Sequence, residues 1–272
     1  MNITITGSKG FIGSHLKSRI LAEGHSITEW DRNLGNDIAN FSIDYIKETE
    51  VFSEPSVIAA TNMVIHLAAS ADVRKSVEEP DHYWENNVIN TKKVQDICFN
   101  MKIPMLYASS SCVHAWSLSP YGTSKKINEL TAYPGQIGLR FTTVYGPGAR
   151  DTMLIPRILN NTLKYTTNHR RDFIYINDVI DAIMFFVNRV KENIVLTNYL
   201  PAYDIGTGRG VVVHELVSDL GYKNIPFKEG DPCEAPDNTA NIKDMQDLGW
   251  EPKTDLGQYM HNQGYGVNLR ES

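Results

Sequence analysis

The chain has 272 residues, of which 42% are hydrophobic and 21% are charged, and its formal net charge is −6. These values are typical of a soluble globular protein with one or two domains, and the acidic balance argues against a general nucleic-acid surface. No apolar run reaches the roughly 20 residues of a membrane span, and no secretory signal is expected. Cys98, Cys112 and Cys233 are too scattered to predict a disulfide framework or a metal site, so we expect a reducing cytoplasm.

Strand and helix patterns alternate from the start of the chain. Apolar runs predict buried strands at Ile3–Thr6, Ile27–Trp30, Met63–Leu67, Met105–Ser109 and Ile137–Phe141. Helical patterns follow near residues 11–23, 43–52, 80–101, 121–133 and 177–190. This alternation predicts an α/β fold, a doubly wound parallel sheet with helices on both faces.

A glycine-rich turn follows the first predicted strand. Gly7, Gly10 and Gly13 frame the start of the next helix, where Phe11 and Ile12 also lie. Glycines here permit a tight turn and close approach of a diphosphate, and the free N–H groups at the helix start face the phosphates. The spacing G-x-x-G-x-x-G differs from the standard G-x-G-x-x-G fingerprint of dinucleotide-binding Rossmann domains.

An acidic residue, Asp31, ends the second predicted strand. A carboxylate in this place can bind the adenosine ribose hydroxyls and repels a 2′-phosphate. The adjacent Arg32 could instead accept a 2′-phosphate. We therefore predict NAD as the cofactor, with NADP as the alternative.

A second motif lies near the middle of the chain. Tyr121 and Lys125 are four residues apart, so on a helix they share one face. An ammonium beside a phenol favours the phenolate. A serine triplet, residues 109–111, precedes them, and a serine hydroxyl could hold a substrate oxygen while the tyrosine takes its proton. Together these residues predict proton transfer coupled to hydride transfer from carbon.

At these motifs the chain resembles the extended short-chain dehydrogenases/reductases, the branch that contains nucleotide-sugar epimerases, dehydratases and reductases. The resemblance runs nearly end to end. It is carried by Thr6–Gly13, Asp37–Ile38, His66–Ala69, Ser70–Ser76, Ala108–Ser111, Pro120–Lys125, Leu139–Phe141, Val144–Pro147, Arg171–Ile176, Tyr203–Gly208 and Leu248–Pro252.

The resemblance implies which residues bind the cofactor. Lys125 would hold the ribose and lower the pKa of Tyr121, and Asn87 resembles a helix asparagine that helps to hold the catalytic region together. His66 is interpreted either as a core histidine or as a cofactor contact. Further cofactor contacts are implied at Asp37, Ile38, Leu67, Ala68 and Ala69.

The catalytic serine is assigned by the same resemblance. Relatives place it three residues before a Val-Tyr-Gly segment, and the matching segment, residues 113–115, selects Ser110, with Ser111 as the alternative. Dehydratases carry Thr-Asp-Glu where this chain has Ser110-Ser111-Cys112, so dehydration is not expected. Cys112 matches an acid/base cysteine of some relatives, but Met153 replaces its partner histidine, which favours a buried apolar role for the thiol.

Substrate contacts are implied at Ser70, Ser110, Ser111, Thr143 and Arg171. Arg171 could reach a nucleotide diphosphate, or it could pair with Asp172 or Asp178. Thr143 stands where the family usually has asparagine, and Cys233 stands where it usually has an arginine suited to the diphosphate. The segments from Lys125 to Arg140 and from Pro156 to Arg171 are shorter than usual. The short Lys125–Arg140 segment removes part of a helix that often forms the dimer interface in this family, so both a monomer and a homodimer stay open as predictions.

The resulting prediction is an NAD-dependent epimerase of a nucleotide-linked sugar, a UDP-hexose 4-epimerase, without metal, nucleic-acid or membrane partners. We predict a Rossmann domain of residues 1–145 plus about 174–210, and a smaller substrate domain of about 146–173 and 211–272. Two alternatives remain: an NAD(P)H-dependent reductase of a nucleotide-linked keto-sugar, and a family member that binds the dinucleotide without catalysis.

Overall fold

The computed structural model describes residues 1–41 and 61–265. Within them, six strands form one sheet in the order β2-β1-β3-β4-β5-β9, and all neighbours are parallel. The strands, in chain order, are β1 (Asn2–Thr6), β2 (Ser26–Trp30), β3 (Met63–His66), β4 (Met105–Ser110), β5 (Gln136–Phe141), β6 (Thr143–Tyr145), β7 (Thr166–Thr167), β8 (Arg170–Tyr175), β9 (Ala202–Ile205), β10 (Gly210–Val212) and β11 (Phe227–Lys228).

Helices alternate with these strands along the chain. In the described residues they are α1 (Phe11–Ala22), α2 (Val73–Glu78), α3 (Pro80–Tyr83), α4 (Asn90–Asn100), α5 (Pro120–Thr131), α6 (Leu154–Leu159), α7 (Ile176–Lys191), α8 (Val213–Asp219), α9 (Lys243–Asp247) and α10 (Leu256–Asn262). A π-helical turn, Trp84–Ile89, joins α3 to α4, and a 3₁₀ segment, Ser111–Leu118, follows β4.

All five strands predicted from the apolar runs are present, and their ends fall within one residue of the predicted ones. The helices predicted near 11–23, 121–133 and 177–190 form as α1, α5 and α7. The helix predicted at 80–101 is instead divided by the π-helical turn, and the helix predicted at 43–52 lies outside the described residues. The prediction of an α/β Rossmann fold with a doubly wound parallel sheet is confirmed.

The strand order reverses beside β1, because β2 lies on one side of it and β3 on the other. Thr6 and His66 are paired at the carboxyl ends of β1 and β3. Ligands of open α/β sheets bind in the crevice at such a switch point. The fold therefore brings the glycine-rich turn next to the loop that begins at Leu67.

Apolar clusters cover both faces of this sheet. Ile3 and Ile5 of β1 point to the face on which α1 and α7 pack, and both side chains are fully buried. Val64 of β3 and Met105 of β4 point to the opposite face, against Val94 of α4. Burial on both faces explains why these strands read as continuous apolar runs.

The later part of the chain adds a second sheet, in which β8 lies between a parallel β6 and an antiparallel β10. A separate apolar cluster forms on it from Tyr145, Ile158, Phe173, Leu216 and Met260. Because β9 pairs with β5, residues after Tyr145 also contribute to the main sheet. The division of the chain into two domains at the predicted boundaries remains a prediction.

Candidate active site

The glycine-rich turn is packed too tightly for side chains at two of its three glycines. Gly7 has a φ of +71°, and a Cβ there would lie 2.7 Å from the backbone nitrogen of Ala68. A Cβ at Gly13 would lie 2.1 Å from the carbonyl oxygen of Gly7. Gly10, the N-cap of α1, makes no side-chain cap, so the first N–H groups of the helix stay available to an anion. This cradle fits the diphosphate of a dinucleotide.

A cavity of about 290 Å³ opens beside the turn. Residues predicted from the sequence that line it are Gly7, Gly10, Asp31, Arg32, Asp37, Ile38, Leu67, Ala68, Ala69 and Ser70. Residues that line it but were not predicted are Lys9, Trp30, Asn33, Asn36 and Asn86. Phe11, Ile12 and Gly13 instead form the first turn of α1 next to the cavity.

The Asp31 carboxylate links the glycine-rich turn to the segment that follows β2. Its carboxylate accepts hydrogen bonds of 2.9 Å from the backbone N–H groups of Lys9 and Asn33, and the side chain is buried. Each carboxylate oxygen can accept a further bond, so ribose hydroxyls can still be received. Arg32 is held by Asn86, through a 3.1 Å hydrogen bond, and by Asp37, whose carboxylate is 3.8 Å away.

His66 is a core histidine, one of its two interpretations. Its Nδ1 lies 2.7 Å from the Thr6 hydroxyl and its Nε2 lies 3.0 Å from the Thr91 hydroxyl. Burial lowers the pKa of His66 to about 3, so the ring is neutral. Both ring nitrogens are thus occupied inside the protein.

Asn87 is also fully buried and positions the loop after β3. Its amide oxygen accepts from the Ser70 backbone N–H at 2.8 Å, and its amide nitrogen donates to the Ser70 carbonyl at 2.9 Å and to the Ser124 hydroxyl at 3.2 Å. Asn87 does not line the cavity, whereas its neighbour Asn86 does, so a cofactor contact at Asn87 remains a prediction. The π-helical turn turns both neighbouring asparagines inward, a geometry that sequence spacing did not predict.

The structure brings Tyr121, Lys125 and Ser110 together at the carboxyl end of β4. Tyr121 lies in the first turn of α5 and is 8% exposed, and Ser110 acts to lower the pKa of its phenol. The ammonium of Lys125 lies 5.9 Å from the centre of the Tyr121 ring and donates to the Ala108 carbonyl at 2.8 Å. The four-residue spacing therefore places both side chains on the buried face of α5.

The pKa of Tyr121 differs from the sequence-based expectation. Burial raises the pKa of the Tyr121 phenol above its ordinary value, and the nearby Cys112 acts in the same direction. Burial also lowers the pKa of Lys125, to about 8. The phenol pKa is therefore raised rather than lowered in the protein by itself, because loss of hydration on burial has the largest effect on Tyr121.

This shift of Lys125 predicts a pH-dependent contribution to stability. The unfolded chain keeps Lys125 protonated up to about pH 10.4, while the folded chain releases this proton near pH 8. Between these values the unfolded state binds more protons, so stability from this group rises with pH and its burial penalty is largest below pH 8. From pH 7 to pH 10, the free energy of unfolding of the wild type should gain on the order of 2 kcal/mol relative to Lys125→Met. Urea unfolding of both proteins at the two pH values checks this, and a constant difference would contradict it.

Ser111 and Thr143 meet at a residue that the sequence did not single out. The amide nitrogen of Asn238 lies 3.5 Å from the Ser111 hydroxyl and 3.2 Å from the Thr143 hydroxyl. The amide oxygen of Asn238 accepts from the Asp172 backbone N–H at 2.8 Å. Thr143 stands where the family usually has an asparagine, and the amide of Asn238, from a distant segment of the chain, lies beside it.

Arg171 pairs with Glu234, at 2.9 Å, rather than with Asp172 or Asp178. Asp172 accepts from the backbone of Thr207 and Gly208, and Asp178 accepts from backbone N–H groups near Lys253. The two acids named for Arg171 were therefore wrong, because both are used to hold backbone turns.

A further cation, Arg150, acts on Tyr121 and was not singled out from the sequence. Its guanidinium donates to the Ala71 carbonyl at 3.1 Å, and its charge acts to lower the pKa of both Tyr83 and Tyr121. It projects from the loop after β6, where a single arginine among glycine and proline gives only a weak sequence signal.

The side chains of Cys112 and His114, near the end of β4, are both engaged within the protein. Burial raises the pKa of the Cys112 thiol, consistent with a neutral, buried role. His114 contacts the Asp204 carboxylate at 2.9 Å. Among the described residues, no group of three or more histidine, cysteine or acidic side chains is arranged to hold a metal. None of the helices in residues 1–41 and 61–265 is long and apolar enough to cross a membrane.

The fold and the cavity together define a Rossmann protein that receives a dinucleotide at the switch point of its sheet. The chain belongs to the NAD dependent epimerase/dehydratase family, whose model matches residues 3–199. It is 27% identical to Protein CapI of Staphylococcus aureus, over 94% of this chain and 95% of that protein. It is also 27% identical to a putative UDP-glucose 4-epimerase of Methanocaldococcus jannaschii, over 93% of this chain and 94% of that protein.

Solved structures with a similar fold include proteins in complex with NAD. MoeE5 in complex with UDP-glucose and NAD superposes with a TM-score of 0.76, at 26% identity and 97% coverage of both chains. A variant of UDP-glucuronic acid 4-epimerase from Bacillus cereus, in complex with a UDP-fluoro-glucuronic acid and NAD, has a TM-score of 0.76 at 25% identity, covering 94% of this chain and 95% of that one. The family is NAD-dependent, so the predicted cofactor class is confirmed.

Cofactor selectivity gives a direct test of Asp31. NAD(H) is expected to bind about 10-fold or more tightly than NADP(H). The 2′-phosphate of NADP(H) would be repelled by the buried Asp31 carboxylate, and the hydrogen bond from the ribose 2′-hydroxyl to that carboxylate would be lost. Titration of both cofactors measures the ratio, and Asp31→Asn should reduce it. A preference for NADP(H) would instead assign selectivity to Arg32.

Proposed function

We propose that the protein is an NAD-dependent 4-epimerase of a nucleotide-linked sugar, with a UDP-hexose as substrate. The observation that carries the proposal is the buried group of Tyr121, Ser110 and Lys125 at the carboxyl end of β4. It is supported by similarity over 93% of the chain to a putative UDP-glucose 4-epimerase and over 97% to MoeE5, whose structure holds UDP-glucose and NAD. Asp31 adds support, because an epimerase recycles one bound NAD and has no need of NADPH.

In this proposal Tyr121 takes the proton from the sugar hydroxyl at the reacting carbon. When bound, NAD would supply a reversible hydride acceptor and the positive charge of its nicotinamide ring. Burial holds Tyr121 protonated in the protein alone, so an added positive charge is what favours the phenolate. Ser110 steadies the oxygen as it becomes a ketone, and Lys125 binds the ribose and keeps α5 fixed against Ala108.

The substrate contacts proposed are Ser70, Ser110, Ser111, Thr143 and Arg171. Ser70 lies on the rim of the cavity, where its hydroxyl contacts His82 at 2.9 Å and accepts from Asn86 at 3.1 Å. Ser111 and Thr143 are joined through Asn238 below the 3₁₀ segment.

Location and assembly are part of the proposal. Cys98, Cys112 and Cys233 are all unpaired, which supports the cytoplasm. A homodimer through the face of α4 and α5 is supported by the exposed side chains of Phe99 and Leu130.

Product analysis tests the proposed reaction. The protein is incubated with UDP-, GDP-, CDP- and dTDP-sugars, and products are identified by NMR while absorbance at 340 nm follows the cofactor. A C4 epimer without net change in NADH is the expected result. Stoichiometric consumption of NAD(P)H with a reduced sugar would assign the reductase, and NAD binding without sugar-nucleotide binding would assign a non-catalytic member.

A further inference from the structure

The substrate side of the site contains a cluster of charged residues centred on one carboxylate. One oxygen of Glu234 lies 2.8 Å from the Arg74 guanidinium, and the other lies 2.9 Å from the Arg171 guanidinium. His169 contacts the second oxygen at 3.3 Å, and Asp231 lies 3.6 Å from Arg74. These five residues are called the Glu234 cluster below.

The Glu234 cluster draws its members from separate parts of the fold. Arg74 lies on α2, beside the catalytic half, whereas Arg171 lies on β8 and Glu234 on the loop that follows β11. The cluster is also connected by contacts to the end of β4. The backbone N–H of Asp172, next to Arg171, donates to the Asn238 amide oxygen at 2.8 Å, and the amide nitrogen of Asn238 lies 3.5 Å from the hydroxyl of Ser111, the residue after Ser110. A ligand group that touches the cluster can therefore belong to a molecule that also reaches Tyr121.

The charges of the Glu234 cluster cancel. Arg74 and Arg171 carry two positive charges, and Glu234 and Asp231 carry two negative ones. Burial, followed by the nearby Arg171, lowers the pKa of His169, so its ring is neutral near pH 7. Two guanidiniums that would otherwise attract a diphosphate are thus neutralised from within the chain.

A carboxylate that places one oxygen on each of two guanidiniums uses the donors that a phosphate group would use. A diphosphate cannot take the same donors while Glu234 holds them. Cys233, next to Glu234, supplies no positive charge in compensation, and the Arg74 side chain remains 44% exposed and accessible to solvent.

We propose that Glu234 is an internal competitor for the diphosphate of the substrate, so that a nucleotide sugar binds Arg74 and Arg171 only by displacing the Glu234 carboxylate. The inference rests on the proposed function, because it assigns the anionic part of that substrate to this cluster. Glu234 is then a residue that sets substrate affinity without touching the sugar.

Nucleotide binding to Glu234→Gln tests the proposal. This change keeps the size of the side chain and removes its charge, so UDP and inorganic pyrophosphate should each bind about 10-fold more tightly than to the wild type. Calorimetry is done with NAD at saturation, so that neither probe binds at the glycine-rich turn. Adding Arg171→Ala to Glu234→Gln should remove the gain. Unchanged or weaker binding of UDP by Glu234→Gln would overturn the proposal.

Glu229→Gln is the matched control. Glu229 lies on the same segment and undergoes the same change of charge, but its carboxylate accepts from Asn168 rather than from a guanidinium. The affinity of Glu229→Gln for UDP should stay within about twofold of the wild-type value, because a charge on the exposed surface is screened by salt. An equal gain in both variants would show that net charge, rather than displacement of Glu234, controls binding.

Hydrogen exchange on the wild type gives a result that needs no variant. The backbone N–H groups of Cys233 and Glu234 both donate to Asp231 in the loop that carries the cluster. UDP should speed exchange at these amides, because displacement of the Glu234 side chain releases the loop. Slower exchange on UDP binding would mean that the nucleotide packs onto the intact cluster, and would overturn the proposal.

The two proposals fail in different ways. If no sugar nucleotide is epimerised but Glu234→Gln still binds UDP more tightly, the reaction is wrong and the role of Glu234 stands. If epimerisation is found but UDP affinity does not respond to Glu234→Gln, the reaction stands and the diphosphate is held elsewhere.

Discussion

Replacing Tyr121 by phenylalanine is expected to lower kcat by roughly 10²–10⁴-fold, the range typical of general acid–base catalysis. The variant keeps the buried ring, which packs edge-on against Tyr83 with ring centres 6.4 Å apart, and removes only the hydroxyl that would carry the proton. Binding of NAD and of the sugar nucleotide should therefore persist. Steady-state kinetics with the active sugar nucleotide and a separate NAD titration measure the two effects.

Tyr133→Phe serves as the control for this change. Tyr133 lies just after α5 and its hydroxyl donates to Asp96, away from Ser110 and Lys125. Its variant should turn over at a rate close to that of the wild type. Near-normal turnover by Tyr121→Phe would remove the assigned proton carrier and with it the proposed mechanism.

The elements around the catalytic site could be predicted because their signals are local. Residues 3–6 and 63–66 are apolar runs buried on both faces, and the glycine-rich turn follows the first of them directly. β9 was not predicted as a strand, since Ala202–Ile205 has only four residues and follows an irregular segment with Pro201. It becomes a strand by pairing with β5, in register from Gly138 with Ala202, and no local pattern reports that contact.

That Tyr121 and Lys125 share one helix face could be predicted, but their protonation could not. Helix geometry alone places residues four apart, such as Tyr121 and Lys125, on the same face, independently of their surroundings. The pKa of each depends on how much water is excluded, and this follows from the packing of α5 against β4 and the π-helical turn. Sequence reasoning considered the charge of Lys125 and omitted the burial, which has the largest effect on the pKa of each of the two residues.

Partners that are distant in the sequence account for the other differences. Asn238 and Thr143 are separated by 95 positions in the sequence, and Glu234 and Arg171 by 63. The nearest acids along the chain, Asp172 and Asp178, were the natural candidates for Arg171, but backbone N–H groups occupy them. Local spacing therefore predicted which residues reach the site, whereas their charge balance depends on the segment after β11.

The second large effect is expected at Gly13. A Cβ at this position would lie 2.1 Å from the Gly7 carbonyl oxygen and 2.9 Å from the Ser8 Cα, and both are backbone atoms of the turn that receives the dinucleotide. Gly13→Ala must push the turn away from α1. Overpacking of this kind costs about 1–3 kcal/mol or more, although alanine in an open helix interior would gain about 1 kcal/mol over glycine.

Displacement of the turn should also lower NAD affinity, by roughly 10–100-fold, since the N–H groups that would hold the diphosphate move with it. Urea unfolding and NAD titration of Gly13→Ala measure the two losses. Gly10→Ala is the graded control, because its Cβ would lie 3.2 Å from the same carbonyl and a shift of a few tenths of an ångström relieves the contact. If Gly13→Ala binds NAD as tightly as Gly10→Ala does, close packing of α1 on the glycine-rich turn is not what positions the dinucleotide.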